Sequence, residues 1–261
     1  KSFNSMKGMH MFFEKWMKWT FGEGAGKTII KLLQKVVGNA SSTFGLAVWA
    51  TVIGGIAQVF AGFAGLFVQG KMRSLGCGKK CLAGSLFYGF FFAISTILTF
   101  LVFQNGGDAG INTFIVTLSI IPGAMFDGLF FGKQIGARKW FSIVVAVFAG
   151  YVVLGFPSLE EISVLPLWVW LSFGVMFGTA GSQAIKQWVS EIDDFVFVFW
   201  AGVAVCVTCF AIFLFGDGVS AFEVENVSKI FWFSSIAVGI LFVAIWILGL
   251  WSYKDGAYIA L

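Results

Sequence analysis

Histidine is nearly missing from this chain; His10 is the only one. No cluster of histidines and acids is available to hold a metal, so neither a metal nor another cofactor is expected. Charge is scarce as well. Only 11% of the residues are Asp, Glu, Lys or Arg, against roughly 25% in soluble domains, which excludes an ordinary soluble fold. The four cysteines settle no compartment. Cys77 and Cys81 flank two lysines in a loop, and Cys206 and Cys209 sit inside an apolar run. There a C-x-x-C spacing reads as two small packing residues ahead of a redox or metal pair. No nucleophile–base pair is displayed, so no enzyme chemistry is expected. The net charge of +4 is distributed among loops, and no nucleic-acid partner is implied.

One stretch imitates a phosphate loop. "GEGAGKTIIK", residues 22–31, supplies the Gly-Lys-Thr ending of G-x-x-x-x-G-K-[ST], but Phe21 stands where the leading glycine belongs. The preceding "MFFEKWMKWT" is charged and tryptophan-rich rather than a buried strand, so nucleotide binding is not supported.

What the chain does have is hydrophobic length. Mean hydropathy is +0.91, and apolar residues gather near 44–68, 82–103, 110–131, 139–156, 165–187, 194–216 and 228–251. About twenty residues cross a ~30 Å hydrocarbon core as a helix, whereas barrel strands need about ten. An all-α polytopic membrane protein follows, with the lipid bilayer as its first partner. The basic loops 69–82 and 132–140 carry Lys71, Arg73, Lys79, Lys80, Lys133, Arg138 and Lys139. They fall on one side if the spans alternate, and the positive-inside rule puts that side in the cytoplasm or its equivalent. Asp108, Glu160, Glu161, Asp217, Glu223 and Glu225 fall on the other, as do the sequons at Asn39 and Asn226. The acidic "VSEIDD" loop disagrees with this division.

Residues 1–8 read as a tail, and 9–31 leave two possibilities open. Glu14, Lys15, Lys18, Glu23 and Lys27 would each cost about 2.5–3.5 kcal/mol at a bilayer centre. Residues 27–37 are amphipathic, as suits a helix in the interface. Against that, a crossing would return the first lysines to the basic side. An internal repeat favours the crossing. "STFGLAVWA" at 42–50 parallels "DDFVFVFWA" at 193–201, and "AGKTIIK" at 25–31 parallels "AGSQAIK" at 180–186. Transporters often contain such repeats in inverted topology. The opening stretch then reads as the last turns of a charged first span, for about eight spans in all.

"TFIVTLSIIPGAMFDGLFFGKQIGARKWFSIVVAVFAGYVVLGF", residues 113–156, resembles the fourth and fifth helices of the drug/metabolite transporter superfamily, the ten-helix type made of two five-helix repeats. The resemblance implies spans one to five over 9–156 and a second, truncated repeat over 165–261, with "SYKDGAYIAL" opening a ninth helix. Helices nine and ten are then absent, and Lys133 stands where the family often has glutamate. The chain, which lacks an initiator methionine, reads as cut or processed.

Several residues are candidates for substrate binding or coupling. Asp127 is a carboxylate inside a span, with Lys133 six residues on. Gln58, Gln183 and Tyr88 could hydrogen-bond a solute, or bridge helices instead. Trp49 and Trp200, at matched repeat positions, suit an interfacial belt or the walls of a shared site. Lys186, matched to Lys31, marks a boundary or a solute-facing end. Gly54, Gly55, Gly62 and Gly65 suit close helix packing, and Pro122 a kink. The 33 phenylalanines are bulk apolar surface, and no lysine in 228–251 could hold retinal. Two functions stand: a carrier moving a small-molecule solute by alternating access, or a non-transporting structural subunit bound to other membrane subunits.

Overall fold

The computed structural model describes residues 2–41, 43–131, 136–153, 165–189, 192–215 and 227–254. Nine α-helices and one 3-10 turn are found among them. They are α1 (Ser2–Ala40), α2 (Phe44–Val68), the 3-10 turn Met72–Leu75, α3 (Lys79–Gln104), α4 (Ala109–Thr117), α5 (Ile120–Phe131), α6 (Ala137–Val153), α7 (Leu167–Trp188), α8 (Asp194–Phe215) and α9 (Lys229–Lys254). No strand occurs among the described residues. Five stretches are long and apolar enough to cross a membrane: α2, α3, Ala109–Phe126, α8 and Lys229–Gly249. The protein is an all-helical integral membrane protein.

The helix ends follow local chemistry. Thr43 caps α2, its Oγ1 accepting from the Leu46 N–H at 3.3 Å. Gly70 ends α2 with φ 67°, and the Lys71 N–H returns to the Leu66 carbonyl at 2.9 Å while the Gly70 N–H meets Phe67 at 3.0 Å. That is a Schellman closure, which favours a residue without a Cβ at the left-handed position. Gly106, φ 77°, ends α3 in the same way, with the Gly107 N–H on the Val102 carbonyl at 2.9 Å.

The run expected over 110–131 is divided into α4 and α5 at Leu118–Ser119. Pro122 explains the division: it has no N–H for the Leu118 carbonyl, four residues back, and its ring crowds that carbonyl. The Ile121 N–H takes the carbonyl instead, at 2.9 Å. At the start of the chain the structure also departs from the expected bounds. Residues 2–8 are helical rather than a tail, and α1 continues unbroken to Ala40. The 132–135 part of the second basic loop lies outside the described residues, as do Glu160, Glu161, Asp217, Glu223, Glu225, Asn226 and residues 255–261.

Small residues set the closest helix approaches. Gly55 on α2 faces Val205 and Cys206 on α8, and a Cβ at Gly62 would lie 2.6 Å from the Phe199 backbone nitrogen. Gly65 meets the Phe195 ring, so α2 and α8 run antiparallel. Helix α3 lies antiparallel to α7, through Gly84 with Val189, Gly178 with Ser95 and Gly174 with Leu98. It also meets α8 through Gly89 and Ala204. Helix α1 lies antiparallel to α9, Gly22 meeting Leu248 and Gly26 meeting Ile245, and reaches α3 where Gly38 meets Phe103. Gly54 faces Phe242, and Gly239 faces Ala57, between α2 and α9. Val37, Val48, Ala93, Phe100, Val205 and Phe231 join five helices in the largest core cluster.

The two ends of the bundle are tied differently. At one, the Gln104 Nε2 donates to Ser41 Oγ at 2.6 Å and to the Thr43 carbonyl at 3.0 Å. At the other, Lys71 pairs with Asp193 at 2.8 Å, and the Trp200 Nε1 donates to the Leu75 carbonyl at 3.0 Å.

Candidate functional site

Polar side chains in the bundle interior gather in a seam between α1, α3, α4 and α7. Asp108 caps α4, its Oδ1 accepting from the N–H groups of Gly110 at 2.8 Å and Ile111 at 3.0 Å. The hydrogen bond from Ile111, outweighing slight desolvation and reinforced by the one from Gly110, holds the Asp108 carboxyl below its ordinary pKa. The cap fixes the first turn of α4 and so points Asn112 inward, where it is fully buried. Asn112 accepts from the Lys31 Nζ at 3.2 Å and donates to Ser172 Oγ at 2.9 Å. Lys31 also reaches Thr99 Oγ1 at 3.4 Å, and Thr99 donates to the Ser95 carbonyl at 2.8 Å. One ammonium and three neutral polar side chains thus occupy space that apolar packing would otherwise fill.

Lys186 forms the second centre. Its side chain is buried, with 4% of the residue exposed, and its Nζ lies 5.6 Å from the Tyr88 ring centroid and 5.7 Å from that of Trp246. Both separations fit cation–π attraction, which strengthens as the cation loses water. Tyr88 and Trp246 meet edge to face at 4.5 Å, and Phe92 packs on Trp246 at 4.8 Å. Among the described residues no carboxylate lies within 4.0 Å of the Lys186 Nζ, and no hydrogen bond reaches it. Glu23 acts on Lys186 electrostatically from α1, but its close partner is Lys27, at 2.6 Å, one turn along the same helix. Gly249 makes room for the Glu23 carboxylate, since a Cβ there would lie 3.2 Å from its Oε1.

Of the residues singled out from sequence, Tyr88 and Lys186 come together. Gln58 is wholly buried on α2, with no hydrogen bond to either amide atom among the described residues. It packs at Gly202, beside the Ala201 that clusters with Tyr88 and Trp246. Gln183 lies one turn before Lys186 on α7 and is half-buried. Trp49 packs on Phe213 at 5.5 Å, while Trp200 bonds Leu75 at the other end of the bundle. From Trp49 to Gly62, the level of Phe199, is about 20 Å of helix, so the two tryptophans do not wall one site. Asp127 lies on α5, but its side chain and Lys133 are outside the described residues. All four cysteines are free thiols, with Cys209 in the core.

Of the seam's other members, Lys31 was matched to Lys186 as a boundary or solute-facing end, while Glu23, Lys27, Asn112, Thr99 and Ser172 were not singled out as a site. The i,i+4 ladder Glu23–Lys27–Lys31 was the available signal, but by itself it also describes a solvated helix face. A separate cavity of about 310 Å³ lies between α4, α5, α6 and α7, lined by Phe114, Leu118, Pro122, Val147 and Phe177 among others. Its walls are apolar, so it offers a polar solute nothing. Outside the spans, burial alone would raise the Asp193 pKa. The hydrogen bond from Lys71, the Phe195 N–H and the Lys71 charge together bring it below the ordinary value. No model of a known protein family matches the chain, and no curated protein or solved structure matches it.

Proposed function

We propose that this protein is a solute carrier built from two inverted helical repeats, α1–α6 and α7–α9, resembling the drug/metabolite transporters. The observation that carries the reading is the polar seam inside a membrane bundle: the buried Lys186, and the part-buried Lys31 bonded to Thr99 and to Asn112, which in turn bonds Ser172. Intramembrane ionisable groups are costly, and they mark substrate or ion paths.

The helix pairing supports the repeat. If α1, α2 and α3 correspond to α7, α8 and α9, then α1 against α9 has its counterpart in α7 against α3. The contacts agree in detail. Gly26, five residues before Lys31, meets Ile245; Gly181, five before Lys186, meets Phe91. Glu23, eight before Lys31, meets Gly249; Gly178, eight before Lys186, meets Ser95. Ile245 and Gly249 stand four apart, as do Phe91 and Ser95. The α2–α8 contact, with Gly55 on Cys206, falls on the two-fold axis of this arrangement.

In such a carrier the halves rock about the seam and open it to each side in turn. The end with Lys71, Arg73, Lys79 and Lys80 faces the cytoplasm or its equivalent in this reading. Helix α1 acts as a full span, since it follows α9 from Gly249 to Phe231. The test is flux in proteoliposomes. Accumulation of some solute from a panel of amines, amino acids and organic or phosphorylated anions supports the carrier; background flux throughout counts against it.

One observation favours a second reading, a structural subunit of a larger membrane assembly. Trp19 of α1 meets Trp251 of α9 at 5.0 Å, and the helix from Ser2 to that level adds about 25 Å, beyond what a bilayer crossing requires. Such an extension could hold a neighbouring subunit. Native-size electrophoresis in mild detergent separates the readings: a lone carrier migrates by itself, and a subunit comigrates with its assembly.

A further inference from the structure

We infer that the seam binds a small organic anion, a carboxylate or phosphate ester, with Lys186 as its principal ligand. This rests on the carrier reading and deepens it.

The charges are unequal. Lys27 of α1 and Lys186 of α7 both act on one carboxylate, Glu23, among the described residues. Glu23 is bound to Lys27, whose side chain is half exposed. Among the described residues the buried Lys186 ammonium is left with two aromatic faces and no hydrogen-bond acceptor, and Lys31 with two neutral oxygens. A buried ion without a counter-ion is costly to maintain. An arriving anion removes that cost, and a cation aggravates it, so the seam selects by sign. Tyr88, Phe92, Phe197 and Trp246 form the apolar side of the Lys186 site, and the buried Gln58, packed at Gly202 beside Ala201 of that cluster, has an amide without a hydrogen bond among the described residues. A solute with an apolar body and one acidic group matches both surfaces. Glu23 is then an internal competitor: its charge already acts on Lys186 and draws less of it once neutralised.

The test uses three probes with one ring and different charge: phenylacetate, phenylacetamide and phenethylamine, with inorganic phosphate as a fourth. Purified protein in non-ionic detergent is titrated with each, and binding is read as a rise in unfolding temperature and by calorimetry. Phenylacetate or phosphate should bind, and the amide and amine should not. Lys186→Met should weaken the anion at least about tenfold, the loss of one charge-assisted contact, while Lys186→Arg restores part of it and Glu23→Gln tightens binding. Removal of a buried charge need not unfold the protein, and the unliganded unfolding temperature of each variant verifies this. Equal binding of all ring probes, absence of anion binding, or undiminished binding to Lys186→Met overturns the inference. Displacement of phenylacetate by phosphatidylglycerol would assign the site to a lipid headgroup and overturn the soluble ligand. Anion binding without flux in proteoliposomes refutes the carrier but leaves the anion site. Flux of cations or neutral solutes that ignores Lys186→Met does the reverse.

Discussion

Replacing Gly62 by alanine adds one methyl group where α2 crosses α8. The new Cβ would stand 2.6 Å from the Phe199 nitrogen and 2.7 Å from its Cα and Cβ. Ordinary contact is about 3.5 Å, so the helices must separate by about 1 Å. Two of the nearest atoms are backbone, and no side-chain rotation relieves them. Overpacking of this kind costs about 1–3 kcal/mol, and the intrinsic preference of a helix for alanine over glycine returns at most about 1. A net loss of about 1–2 kcal/mol is expected. Gly24 on α1 is the control, because a Cβ there meets nothing within 4 Å; Gly24→Ala should be neutral or stabilising by up to about 1 kcal/mol. Denaturant titration in mixed micelles measures both. If Gly62→Ala is as stable as Gly24→Ala, the helices do not meet as described, and the two-fold pairing that depends on this contact fails with them.

Replacing Asn112 by leucine removes the acceptor for Lys31 and the donor for Ser172, so stability should fall by about 1–2 kcal/mol in the same titration; an unchanged midpoint would mean that the seam is not bonded this way. Gln58→Leu should raise stability by about 1–3 kcal/mol, because it removes a buried amide that has no hydrogen bond among the described residues, and should lower flux if the amide serves the solute. The Lys71–Asp193 pair should contribute up to about 1 kcal/mol. Because the Asp193 pKa is lowered on folding, that contribution is complete above the unfolded value near 4 and disappears as pH falls through the folded value. Asp193→Asn should show no such acid loss in thermal unfolding at pH 3–6, and an identical pH profile for variant and parent would sink the assignment.

The spans were legible because lipid leaves the chain little choice: an apolar run of about twenty residues has to be helical. Bounds were less so. The break at Leu118–Ser119 depends on which N–H takes the carbonyl that Pro122 cannot serve, and the sequence indicated only a kink near the proline. For α1, charge density concealed the packing of Gly22 and Gly26 on α9; the bonding of Lys31 to a hydroxyl and an amide is a tertiary fact with no signature in local hydropathy. Lys186 was legible through its match to Lys31. Asn112 and Ser172 were not, because a single polar residue in an apolar helix looks the same whether it bonds its own helix or, as here, a lysine 81 positions away and a serine 60 away. Trp49 and Trp200 show the opposite failure: their stretches match in sequence, yet the two side chains lie about 20 Å apart along the bundle, so likeness in sequence did not mean proximity.

Alternating access to the seam is the central claim, and labelling of Thr99→Cys tests it most directly. With Cys77, Cys81, Cys206 and Cys209 replaced by alanine, this thiol would sit beside Lys31, at a position only 2% exposed. A membrane-impermeant maleimide is applied to oriented proteoliposomes from one side and then from the other. The carrier account predicts slow labelling from both sides, altered in rate by a bound anion; labelling from one side alone, or from neither, would contradict it.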